Sequence, residues 1–229
     1  MPVVEFFGLP GSGKTTAARL LAEELASRGL TAVLPVDAVN RKPFHARAAI
    51  KILHALLFAA VRPAAALRLF AAVLRTRQAG PRDFLRAAGN LLFTLGIVHR
   101  CRDREDARNS RVVILDQGVL QAVFTVLYAA GAPPGDGFYI GLPAPDLLVE
   151  VTADRGSLAD RLRVRQEREG RQSRTEADPG AALERAVAVI EAVRETALYA
   201  RAAERAVIEN SRGPEDLRAQ AAVLADKII

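Results

Sequence analysis

The chain has 229 residues, 50% of them hydrophobic and 25% charged, which fits one soluble globular domain, with or without an insertion, able to bury a real core. Its single cysteine, Cys101, excludes an intramolecular disulfide and a paired-cysteine zinc site, so stability is expected to rest on packing in a reducing compartment, with the cytoplasm as the expected location. Net charge is +6, but residues 41–111 hold 15 Arg or Lys against 4 Asp or Glu while the remainder is net −5; either this segment meets an anion (substrate phosphate, acidic lipid headgroups or nucleic acid) or it is a solvated basic face.

Val3 to Phe7 reads as a short buried parallel strand ending at Gly8, without the basic leader or small-residue cleavage site of a signal peptide. Lys14 to Arg28 follows with helical spacing of Ala17, Leu20, Leu21 and Leu25 before Gly29. Thr31 to Val36, ending at Asp37, reads as a second strand, which completes a βαβ opening.

From Pro43 to about Arg108 the patterns are helical, with breaks at Pro63 and at Gly80-Pro81. The greasiest stretch, Ala55 to Leu74, contains Arg62, Pro63 and Arg68, and each mid-membrane arginine costs roughly 2.5 to 3.5 kcal/mol, so no transmembrane helix is expected there. Phe44, Phe58, Phe70, Phe84 and Phe93 fall at helical spacing and read as core. His45, His54 and His99 lack metal-ligand spacing and read as structural or solvent-facing.

A third strand is expected in Arg111 to Gly118, followed by an apolar helix from Val119 to Ala130 and a turn-rich loop, GAPPGDG. Asp146 to Thr152 reads as a fourth buried strand, followed by a charged helix from Ser157 and a long helix from about Pro179 to Glu204. A short strand, Ala206 to Asn210, a loop, SRGPED, and a terminal helix from Leu217 to Ile228 complete the chain. The pattern predicts a three-layer α/β fold, 1–229 as one domain, with a mostly parallel central sheet and a helical insertion over 41–110.

The most specific motif is GLPGSGKTT, Gly8 to Thr16. In G-x-x-x-x-G-K-T the glycines let the backbone wrap around phosphate with its N–H groups pointing inward, and the following helix N-terminus adds a favourable dipole. Gly8, Pro10, Gly11, Ser12, Gly13, Lys14, Thr15 and Thr16 are therefore the expected ATP-binding residues, with Lys14 reaching the β and γ phosphates and Thr15 offering its hydroxyl to Mg²⁺. Only four lysines occur, Lys14, Lys42, Lys51 and Lys227, so a lysine at position 14 is selective: the loop needs a compact point charge on a slim stem, not the arginine fork. Asp116 ends the apolar strand VVILD, where a carboxylate can hold Mg²⁺ beside Thr15.

Taken together, GLPGSGKTT at the first strand, Asp37 at the second, ILDQG at the third, PDLLVEV followed by an arginine-rich helix, and NSRGPEDL at the end resemble the nucleoside and nucleotide kinase group of P-loop proteins, which includes thymidylate kinase, deoxynucleoside kinases and shikimate kinase. The resemblance covers nearly the whole chain and implies transfer of the γ-phosphoryl group of Mg·ATP to a small-molecule acceptor: a nucleoside, a nucleotide, or a nucleoside-like or sugar-like metabolite or antibiotic. It implies that Asp37 is either the general base that takes the proton of the acceptor hydroxyl or a group that binds the acceptor. It further implies that residues 157–178 form a LID bringing cations to the transferring phosphoryl group, with Arg161 and Arg165, four apart on one face, as the first choices. Gln117 stands where the group often has arginine, a departure that bears on whether the acceptor is a nucleotide. The acceptor site is expected in the basic helical insertion, where Arg41, Arg47, Arg75, Arg77, Arg82, Arg86 and Arg100 are candidates for an anionic acceptor.

A nucleotide-dependent regulatory ATPase without an acceptor is the alternative. Nucleic acid is not expected as a partner, whereas peripheral membrane contact through the basic helices and a homodimer are both compatible with the chain.

Overall fold

The structure is a computed structural model describing residues 2–103, 111–169 and 179–229, with backbone alone at 136, 162, 165–169 and 179. Its centre is one five-stranded sheet of β1 (Val3–Phe7), β2 (Thr31–Val33), β3 (Arg111–Leu115), β4 (Leu147–Thr152) and β5 (Glu204–Glu209). The spatial order is β2-β3-β1-β4-β5 and every pairing is parallel, with Val4 opposite both Ile114 and Leu147. Central β1 buries all five residues because helices cover both faces, which is why it reads as an unbroken apolar run interrupted only by Glu5.

Alternate side chains of the strands feed two cores. Val4, Phe6, Ile114, Val149 and Ile208 pack against α1 (Lys14–Ser27) and α10 (Pro214–Ile228). On the other face Val3, Phe7, Val113, Leu115 and Leu148 pack against α3 (Phe44–Val61), α4 (Pro63–Arg75), α5 (Pro81–Asp103), α6 (Val119–Tyr128) and α8 (Pro179–Arg194). Burying a side chain such as Phe6 or Leu148 contributes about 1.5 to 3 kcal/mol, so these two cores dominate the stabilisation of the sheet.

Several boundaries differ from the sequence expectation. The second strand stops at Val33 instead of Val36, because Pro35 cannot donate to a ladder and instead opens a short helix, α2 (Pro35–Asn40). Asp37 therefore lies in the first turn of α2 and not at a strand end. The third strand ends at Leu115, short of Gly118. The charged helix α7 (Arg155–Glu169) begins ahead of Ser157, whose N–H is accepted by the Asp154 carboxylate at 2.8 Å.

The long helix expected to run to Glu204 ends at Arg194. Thr196 then caps α9 (Ala197–Ala200), its hydroxyl accepting the Tyr199 N–H at 3.3 Å, and Glu204 already pairs with β4. The terminal helix starts at Pro214, with Glu215 and Asp216 in its first turn. Between α2 and β3 all described residues are helical, loop or turn, as expected of residues 41–103; residues 104–110 lie outside the described ones. Of the five phenylalanines read as core, Phe58 and Phe93 are buried, but Phe44 and Phe70 are exposed.

Candidate functional site

Parallel pairing brings the C-terminal ends of all strands to one edge of the sheet, where Gly8, Asp116, Ala153 and Asn210 follow β1, β3, β4 and β5. The chain leaves β1 toward β2 and β3 on one side while β4 and β5 extend the other, so β1 and β4 flank the topological switch point, the usual ligand crevice of such sheets.

The loop from Gly8 to Gly13 wraps at this edge. Gly8 and Gly13 have φ of 148° and 98°, values that side chains resist. Space also dictates glycine there: a Cβ on Gly8 would lie 2.3 Å from the Val151 carbonyl oxygen, and one on Gly13 would lie 2.1 Å from Asn210 Nδ2. No side chain caps the N-terminus of α1, which leaves its first amides open to an anion. Lys14 curls back over the loop, donating from Nζ to the carbonyl oxygens of Gly8 and Leu9, both at 2.8 Å. Ser12 is fully buried, and its hydroxyl is without a hydrogen-bond partner among the described residues. Thr16 is exposed at the mouth.

Thr15 and Asp116, 101 positions apart, meet here: the Thr15 hydroxyl donates to Asp116 Oδ2 at 2.8 Å. Asp116 is almost wholly buried, and burial holds its carboxyl above the usual carboxylate range. Its other oxygen, Oδ1, is also buried and makes no hydrogen bond, so the site has an unsatisfied hard oxygen beside a hydroxyl. That donor set fits Mg²⁺, which takes one or two protein oxygens and fills its octahedron with water and phosphate. Among the described residues no cluster of three His, Cys, Asp or Glu side chains could form a protein cage for a metal.

Asp37 is buried and held by two arginines, Arg19 of α1 at 2.7 Å and Arg41 at 2.7 Å. The Arg19 hydrogen bond in the first place, and Arg41 with it, lowers the Asp37 carboxyl below its ordinary value despite burial. Arg19 escaped the sequence reading because its only signal is a cation on the outer face of α1. Arg161 of α7 reaches the loop, donating to the carbonyl oxygens of Gly11 at 3.3 Å and Asn210 at 3.1 Å. Asn210 in turn donates from Nδ2 to the Ser12 carbonyl at 2.7 Å, which ties the end of β5 to the Gly8–Gly13 loop. Arg165 lies on α7 with its side chain outside the described ones, and residues 170–178 of the expected LID are outside the described residues.

On the insertion side Lys51 of α3 sits 5.1 Å from the Phe93 ring centroid. Burial first, then Arg47 and Arg86, lower its ammonium, while Asp116 acts in the opposite sense. Lys51 was not singled out in the sequence, where it is one cation among many. Next to Gly8 and Leu9, at the switch point, a cavity of about 120 Å³ is walled by Glu150, Thr152, Ile190 and Arg194. Glu150 is buried there, paired with Arg194 and accepting the Tyr199 hydroxyl at 3.0 Å.

No protein-family model matches the sequence, and no curated protein matches it significantly. Among solved structures, the fold is similar to that of a deoxyadenosine kinase from M. mycoides with the products dCMP and dCDP bound. The two share 11% sequence identity over 99% of this chain and 98% of that one, with a TM-score of 0.56. A second structure of a deoxyadenosine kinase from M. mycoides, with bound dCTP, matches at 13% identity over 99% and 98% with a TM-score of 0.48. At 11% identity the first likeness is one of fold alone: five parallel strands between helical layers.

Proposed function

We propose that the chain is an ATP-dependent phosphotransferase that moves the γ-phosphoryl group of Mg·ATP to a nucleoside-like small molecule. The observation that carries this reading is the convergence of the Gly8–Thr15 loop, the unsatisfied Asp116 carboxylate and Arg161 at one edge of the sheet. The likeness of fold to deoxyadenosine kinase supports the nucleoside class of acceptor.

In this reading the open amides of α1 and the Lys14 ammonium hold the phosphates of ATP. Thr15 and Asp116 would hold Mg²⁺, which would supply neutralisation of the phosphate charge. Arg161, hydrogen-bonded to two backbone carbonyls beside the loop, swings a short distance to place its guanidinium against the transferring group. The LID role of residues 157–178, and that of Arg165 within it, belongs to the same proposal. Asp37, as a weakly basic carboxylate, orients the acceptor hydroxyl more than it abstracts its proton; a loose transition state asks for little base strength. The acceptor side belongs to the same proposal: it lies toward the basic helical insertion of residues 41–110, where Arg41 pairs with Asp37 and the Lys51 ammonium is within electrostatic reach of Arg47, Arg86 and Asp116.

The test is ADP release from Mg·ATP against nucleosides, nucleoside monophosphates, sugars and nucleoside-like antibiotics. Turnover rising at least about tenfold with one acceptor class supports a kinase and names its substrate. Slow turnover indifferent to every acceptor leaves the regulatory ATPase.

A further inference from the structure

Helices α3 and α4 turn apolar side chains to solvent. Ile52, Leu53, Leu56 and Leu57 on α3, with Leu67 and Leu74 on α4, are between 44% and 70% exposed. The i, i+1, i+4, i+5 spacing on α3 and the i, i+7 spacing on α4 put each set on one helix face. The opposite faces, through Phe58, Leu69 and Val73, join one core with Leu91 and Phe93 of α5. Both apolar faces are thus directed away from α5, and no described residue covers them. Isolated exposed leucines are ordinary, but a grouped set on consecutive helices marks an interaction surface.

Charge identifies the partner. From Ala38 to Arg82 the chain has nine Arg or Lys and no Asp or Glu. Arg41 and Lys42 precede α3, Arg62 stands at its junction with α4, and Arg68 and Arg75 lie on α4. In a symmetric pair of chains this patch would face itself, setting cation against cation with no carboxylate of its own to compensate. An anionic bilayer surface supplies both what the leucines and what the arginines lack.

The helix lies on the surface and does not cross it. With 18 residues and a mean hydropathy of 1.5, α3 is long and apolar enough to span, yet its inner side is committed to α5. A Cβ on Gly96 would lie 2.5 Å from the His54 carbonyl oxygen, so the two helix backbones touch. Spanning would require tearing α3 from the core that holds Phe58.

We propose that the outward faces of α3 and α4 seat the protein on membranes rich in anionic lipid, the leucine and isoleucine side chains entering the acyl boundary and the flanking arginines meeting headgroup phosphates. This goes beyond the phosphotransferase reading and does not depend on it.

The test is flotation of the full chain with vesicles of phosphatidylcholine alone or with about a quarter phosphatidylglycerol, at about 0.1 M and about 0.5 M salt. Binding is expected only to the anionic vesicles and weaker at high salt. Leu53→Glu with Leu56→Glu is expected to reduce partitioning at least about tenfold, and Arg75→Gln to weaken it about fivefold. Each variant is checked for an unchanged melting temperature and unchanged Mg·ATP binding, which the exposed positions should allow. Absence of binding to anionic vesicles overturns the proposal, as does binding indifferent to the leucine pair. So does a wild-type dimer in solution that Leu53→Glu with Leu56→Glu splits, since the face would then be a self-interface.

Discussion

Two buried carboxylates carry opposite instructions. Asp116 is buried with one oxygen bonded to Thr15 and one unsatisfied, and in the proposed reading it holds a place for a cation. Asp116→Asn preserves volume and the Thr15 contact but removes the charge; Mg-dependent turnover is expected to fall about 100-fold or more while the chain still melts cooperatively, as steady-state kinetics and calorimetry would show. Glu5 points to the other face of the sheet, accepts the N–H groups of Leu120 at 2.6 Å and Gln121 at 3.3 Å, and is raised from 4.5 to about 7 by burial. A folded-state value above the unfolded one means that its stabilisation is complete below about pH 4.5 and is lost as pH rises to about 7. At about 1.4 kcal/mol per pH unit the loss is on the order of 3 kcal/mol. Glu5→Gln keeps the acceptor oxygen and removes the charge, so thermal melts should show a higher melting temperature at pH 8 and a flatter profile between pH 5 and 7. Acidification acts separately through Asp37, whose lowered value adds stability that is lost as pH falls through it. The tight Gly8–Thr15 loop between β1 and α1 was legible because its signal is local, eight consecutive residues. Arg19 and Asp37 are 18 positions apart on different helices, and only the fold joins them. Glu5 did leave a signal, a lone charge inside the apolar run VVEFF.

At the scale of elements, strands announced themselves by unbroken apolar runs and a parallel sheet followed from the helices between them. Boundaries were read less well where one residue overrode a pattern: Pro35 turned the end of an expected strand into α2, and Thr196 capped α9 within an expected long helix. Gly118 shows why a glycine follows the third strand. Its φ of −99° is ordinary, but a Cβ there would lie 2.3 Å from Glu5 Cδ. Gly118→Ala should cost roughly 2 kcal/mol in chemical denaturation by driving the Glu5 carboxylate off the N-terminus of α6. Combining it with a shorter side chain at position 5 should recover part of that loss, because the cost is one of space. The helical insertion was legible as helices but not in its orientation. Helical spacing marks one apolar face per helix, whereas α3 and α4 are apolar on two sides, so Phe44 and Phe70 could not be assigned to core or surface by pattern alone.

For the whole molecule, fold and chemistry rest on different supports. The five-stranded parallel sheet and its likeness to a deoxyadenosine kinase fix the architecture, but one fold serves many reactions, and the reaction has to be argued from the loop, Asp116, Asp37 and Arg161. The C-terminal edge of the parallel sheet brings these groups together. The most direct measurement follows the γ-phosphoryl group itself: the chain is given γ-labelled Mg·ATP with the acceptor panel, and products are separated and weighed by mass spectrometry. Label on one acceptor class with the wild type, and on none with Lys14→Ala, is the expected result. Label found only in inorganic phosphate whatever the acceptor, or transfer by Lys14→Ala at near wild-type rate, would contradict a phosphotransferase built on this loop.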